Sequence, residues 1–129
     1  MGDESRMIDV DVKLEESFYK KLGLKGKIYE EALDKAIDHA LSDAVNICRR
    51  EAPIKTGQLR RKTDKRKPQK CVGEVINTAR NGSGEPYWQY VQFGTSKMKA
   101  NPFVTRTVKQ IKPKLPKYIK EEIKNMGVS

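Results

Sequence analysis

One histidine and two cysteines in 129 residues leave little material for a metal centre or a nucleophilic relay. His39 falls within a helical stretch beside Asp38, where a solvent-facing side chain is the ordinary role. Cys48 and Cys71 make no CxxC pair, and zinc clusters of usual spacing are excluded. No GxSxG, GxxxxGK[ST] or GxGxxG stretch occurs. The glycines of Asn81-Gly82-Ser83-Gly84 lack the following lysine and helix start that a phosphate cradle needs. Glu30-Glu31 and Glu121-Glu122 are adjacent pairs on helical segments, which suits solvated faces better than acid–base work. Catalysis, bound metal and organic cofactors are therefore not expected, nor is a small-molecule substrate. Aromatics make up only 7% of the chain, and no apolar run nears the roughly 20 residues that span a bilayer. A membrane partner is not expected either. The opening residues MGDESRMIDV are acidic and polar, unlike a secretory leader, so two free thiols in a reducing compartment are the expectation.

What is present in quantity is charge, and it is segregated. Residues 1–48 sum to −4, residues 49–70 to +8, residues 71–96 to −1 and residues 97–129 to +7, for a net charge of +10. Such segregation fits a polyanionic partner, or self-association in which one copy's acidic face meets another's basic face. The length suits one domain over residues 1–129, and 36% hydrophobic residues suffice for a modest core with a large wetted or partner-facing surface.

Periodicity sketches the elements. Ile8, Val10, Val12 and Leu14 alternate with charged residues, the pattern of a half-buried strand. Residues 15–24 are ambiguous, with a short helix as one reading. From Lys27 to Glu51 the apolar residues Ile28, Ala32, Leu33, Ala36, Ile37, Ala40, Leu41, Ala44, Val45 and Cys48 form an i, i+3/i+4 stripe, so a long amphipathic helix is predicted. Pro53 ends it, because the residue before a proline is pushed out of the α region. Residues 71–78 read as a strand, Asn81–Gly84 as a loop or hairpin tip, and Tyr87–Phe93 as a strand or tight helical turn closed by Gly94. A second helix is predicted from Pro102, broken or kinked at Pro113 and Pro116, with a short basic helix over 117–125.

Two groups of side chains are candidates for binding. Arg60, Arg61, Lys62, Lys65, Arg66, Lys67 and Lys70 could meet phosphates, which requires only charge and reach. The same stretch also reads as a solvated loop, or as a segment that pairs with acidic residues of a neighbouring subunit. No DNA-reading motif accompanies it, so sequence-specific recognition is not expected. Trp88, Tyr90 and Phe93 could stack bases, but such a cluster more often anchors a core or an interface.

Two separated pieces then become recognisable together. Ala52-Pro53-Ile54-Lys55-Thr56-Gly57-Gln58-Leu59-Arg60 directly follows the long helix. Tyr87-Trp88-Gln89-Tyr90-Val91-Gln92-Phe93-Gly94-Thr95-Ser96-Lys97-Met98 is followed by Ala100-Asn101-Pro102-Phe103. This order, over about residues 27–112, resembles the head–tail joining or tail-completion minor structural proteins of long-tailed phages. Gln92 stands where that family usually has glutamate, and Thr63 where serine is common. The resemblance implies an α+β domain, with a long amphipathic helix packed on a small antiparallel sheet and a C-terminal helix. It also implies a non-catalytic protein of the virion neck, present in the host cytoplasm during assembly. Relatives form rings, often hexameric, that contact connector or tail-tube proteins and pass DNA through the lumen. Pro53, Thr56, Gly57, Leu59, Gly94, Thr95, Pro102 and Phe103 would then be architectural: Thr56 capping a turn, Gly57 at positive φ, Leu59 returning to the core and Pro102 opening the closing helix. The competing reading, drawn from charge alone, is a small non-specific nucleic-acid-binding protein that uses residues 60–70.

Overall fold

Alanine at every fourth position, Ala32, Ala36, Ala40 and Ala44, lets the long helix lie close against its neighbours, and all four are buried. In the computed structural model, which describes residues 5–11, 26–53 and 57–125, this helix (α1) spans Gly26–Glu51. Arg49 and Arg50 stand in its last turn, where cations suit the negative end of the helix dipole. Ala52 N–H still bonds the Cys48 carbonyl at 2.9 Å before Pro53 turns the chain away.

Three antiparallel strands lie beside it: β1 (Arg6–Asp11) and β2 (Thr63–Gln69) flank β3 (Val72–Asn77), in the order β1-β3-β2. The register sets Ile8 against Val75, Val10 against Gly73 and Thr63 against Asn77, so one face of the sheet meets α1. Gly73 marks the closest approach. A Cβ there would lie 2.5 Å from Leu41 Cδ1 and 2.9 Å from Ile37 Cγ2, so only glycine lets α1 seat this deeply. On the opposite face Glu74 sits between arginines from both outer strands, 3.3 Å from Arg6 and 2.8 Å from Arg66.

The architecture is the expected α+β arrangement of a long helix on an antiparallel sheet with a helical C-terminus. A single turn, α2 (Gln58–Arg61), leads into β2, and α3 (Trp88–Phe93) resolves the Tyr87–Phe93 segment as helix. Then α4 (Phe103–Ile111), a 3₁₀ turn at Lys112–Lys114 and α5 (Leu115–Asn125) pack back on α1. Pro113 sits in the 3₁₀ turn, and Pro116 in the first turn of α5, where a missing N–H is tolerated. One difference from the sequence reading is β2. The basic stretch is an edge strand over Thr63–Gln69, held by its ladder to β3 and not a solvated loop. Residues 12–25 and Thr56 lie outside the described residues, and with them the last two positions of the first predicted strand pattern, Val12 and Leu14.

Candidate functional site

The motif residues interlock through buried hydrogen bonds. Leu59, 2% exposed, enters the core as α2 closes, and its carbonyl accepts from both Thr63 Oγ1 and Asn77 Nδ2. Asn77 also donates to Thr63 Oγ1 at 3.0 Å and accepts from Ala79 N–H at 3.0 Å, so the side-chain polar atoms of both residues have partners. Gly57 has φ +72°, the left-handed conformation expected of it.

The second motif closes on itself in the same way. Gln92, 6% exposed, accepts from Val104 N–H at 2.9 Å and donates to Thr105 Oγ1 at 2.6 Å. Its side chain thus caps the N-terminus of α4, the helix that opens directly after Pro102 with the fully buried Phe103. A glutamate at this position retains the acceptor that Val104 N–H requires. Gly94 (φ +78°) brings the chain so close to the returning loop that a Cβ would lie 2.8 Å from Ala100 N and 2.9 Å from the Met98 carbonyl. Thr95 pairs with Met98 across that exposed loop. Asn77 and the capping role of Gln92 carry no sequence signal beyond polarity within an element.

The three aromatic candidates separate. Trp88 is 7% exposed and belongs to the core, and Tyr90 is half-buried with its hydroxyl donating to Glu85. Phe93, tilted against Trp88, is 71% exposed, and Met98 nearby in the chain is also exposed. Only Phe93 of the three offers substantial apolar area to a partner.

Most of the central basic stretch is engaged by the chain's own groups. Lys67 Nζ lies 2.6 Å from Asp34 and 2.9 Å from Asp38 on α1, and Lys65 donates to Ser42 at 3.0 Å. Arg66 pairs with Glu74, and Arg60 reaches the Ala52 and Arg50 carbonyls. Arg61, Lys62 and Lys70 remain exposed. Burial alone would raise the Asp34 carboxyl, but the Lys67 ammonium and the Cys71 N–H outweigh it and hold it below the usual range. Lys67 is correspondingly raised: burial works against its charge and the two carboxylates prevail. Asp34 and Asp38 of the acidic third are thus met by Lys67 of the basic stretch within one chain.

The C-terminal helices differ. Arg106 is held by the Glu51 carboxylate at 2.8 Å and by Asn101 at 2.7 Å, and Tyr118 donates to Asp43 while stacking on His39 at 4.6 Å. Lys109, Lys112, Lys114, Lys117, Lys120 and Lys124 are all exposed, and among the described residues none makes a hydrogen bond or ion pair.

The two thiols lie apart and are both raised above the ordinary range. Burial raises the Cys48 thiol to about 11, and Cys71 is also raised, chiefly by burial, with Asp34 and Glu30 adding to it. No group of three or more metal-ligating side chains occurs among the described residues, and no described helix is long and apolar enough to cross a membrane. A depression of about 350 Å³ between β1 and the C-terminal helices is walled by Ile8, Val10, Ala44, Val108, Ile111 and Leu115, with Asp9 and Lys112 as its charged members. No family model, curated protein or solved structure matches this chain.

Proposed function

We propose that the chain is a non-catalytic structural protein of the virion neck in a tailed virus or provirus. It joins or completes the tail at the head–tail interface, as one subunit of a ring bound to connector or tail-tube proteins. The observation that carries the reading is the interlock of the two sequence motifs with conformation. Gly57 and Gly94 have positive φ, Leu59 and Phe103 are core, and Gln92 caps the helix that opens at Phe103 after Pro102. Residues spent on architecture at these motif positions suit a protein whose product is an assembled shape. In this reading Phe93, with Met98, is the apolar anchor for a neighbouring subunit, and Trp88 supports it from the core.

Deleting the gene from the virus or provirus that encodes it, followed by electron microscopy of the particles, tests the role. The expected result is filled heads separated from tails, or tails left incomplete. Normally joined, infectious particles would overturn it. The competing reading, a free-standing non-specific nucleic-acid binder, draws its support from the six unpaired lysines of the C-terminal helices.

A further inference from the structure

We infer that the solvent face of the C-terminal helices, carried by Lys109, Lys112, Lys117, Lys120 and Lys124, is a contact surface for the phosphate backbone of duplex DNA, and that Lys65 and Lys67 of the 60–70 stretch, engaged by α1, are not part of it. The inference deepens the neck reading, from which it takes only the expectation that DNA passes close to the protein.

Helix geometry places three of these lysines together. On α5, Tyr118 and Ile119 are buried against the body of the domain, which turns Lys117, Lys120 and Lys124 outward along one edge. At about 1.5 Å rise per residue, Lys117 and Lys124 stand roughly 10 Å apart along the axis. That span covers about three phosphates of one strand at ~3.4 Å rise each. On α4, Phe103, Thr107 and Ile111 face inward, so Lys109 projects on the far side, and Lys112 is exposed in the 3₁₀ turn that follows, at the rim of the depression beside β1. Glu121 shares the outer edge of α5 and makes no ion pair with the flanking lysines, so the surface keeps a net positive charge. An unneutralised cationic face raises the local concentration of a polyanion and releases its counterions on contact.

The chemistry of the face fits position without sequence. All five contact residues are lysines, point charges that meet single phosphate oxygens, and the groups suited to bidentate base contacts are occupied elsewhere. Arg106 and Gln110 both bind Glu51. A neck protein must hold whatever sequence passes it, and such a surface does so.

The test is duplex binding by the full chain, measured by fluorescence anisotropy with an arbitrary labelled duplex over a salt series. For the combined Lys117→Gln, Lys120→Gln, Lys124→Gln variant, the slope of log K against log salt should become shallower by about 2.7, at roughly 0.9 for each phosphate no longer neutralised. A Lys65→Gln, Lys67→Gln control should keep the wild-type slope, with melting curves confirming that both variants fold. An unchanged slope in the triple variant, or an equal change in the control, would overturn the assignment. So would wild-type protein that binds polyglutamate but no duplex, which would point to an acidic protein partner. The neck role is read from the deletion phenotype alone, so either result can fail while the other stands.

Discussion

Residues 49–70 sum to +8 and residues 97–129 to +7, yet the two stretches meet very different surroundings. The first ends in strand β2, whose ladder to β3 brings Lys65 and Lys67 against the polar flank of α1, where Ser42, Asp34 and Asp38 receive them. The second folds into α4 and α5, which bury apolar faces against α1 and turn their lysines to water. The α1 acids on that side, Asp43 and Glu51, are already taken by Tyr118 and Arg106. Formal charge in a sequence is thus a poor guide to charge available for binding. What decides is whether the fold brings each cation to a carboxylate of its own chain.

The largest effect expected comes from breaking the platform that enforces the difference. Ile37 is fully buried and touches the sheet where Gly73 admits α1. Ile37→Asp would bury an unpaired carboxylate, at a cost of roughly 3 kcal/mol or more. Thermal melting should fall by about 10 °C in a domain of this size. A variant that melts within a degree or two of the parent would mean that α1 is not seated on the sheet as described, and the locked state of β2 would lose its basis.

A smaller effect is expected from Lys67→Met, which removes the ammonium shared by Asp34 and Asp38. All three side chains keep some contact with water, so the loss should be ~1 kcal/mol. The sign with pH follows from the two shifts. Asp34 lies below its ordinary value, so its contribution is complete above the unfolded carboxylate range, near ~4, and fades as pH falls through the lower folded value. Lys67 lies above its ordinary value, so its contribution is complete below about 10.5 and fades as pH rises through the folded value. The gap in melting temperature between wild type and variant should therefore be widest near neutrality and narrow at pH 3. A gap that is the same at pH 3 and pH 7 would show that Lys67 acts through packing and not through its charge.

How much of this was legible differs by element. The 3.6-residue stripe from Ala32 to Cys48 announces α1 because its apolar side chains all face one way. Strand β2 was hidden, since TDKRKPQ contains no apolar residue to display a two-residue period, and only its pairing with β3 makes it a strand. The aromatic cluster carried a signal that composition alone obscures. Trp88, Val91 and Gln92 fall at i, i+3 and i+4 and share the buried side of α3, which leaves Phe93 outside. Glycine at 57 was readable as a positive-φ residue after the long helix, whereas the positive φ of Gly94 emerges only with the close return of residues 98–100. The union of Lys67 with Asp34 joins positions far apart in the chain, and no local pattern foretells it.

The smallest effect expected has the opposite sign and so separates the two stretches most cleanly. Lys120 lies at i+3 from Lys117 and at i−4 from Lys124, and neither glutamate of α5 stands three or four residues from it. Within α5 its charged neighbours at helical spacing, Lys117 and Lys124, are therefore like charges, each pair unfavourable by about 0.2–0.5 kcal/mol at low salt. Lys120→Gln keeps the length and helix preference of the side chain and removes only the repulsion. It should stabilise the protein by a few tenths of a kcal/mol near ~10 mM salt, where the screening length is about 30 Å, and the gain should vanish near 1 M. Denaturant melts of wild type and variant across that salt range measure this directly. Removing a lysine from β2 should thus cost stability, and removing one from α5 should add it. If Lys120→Gln instead destabilised the protein at low salt, Lys120 would have a partner, and the C-terminal helices would be as neutralised as the strand with which they are contrasted.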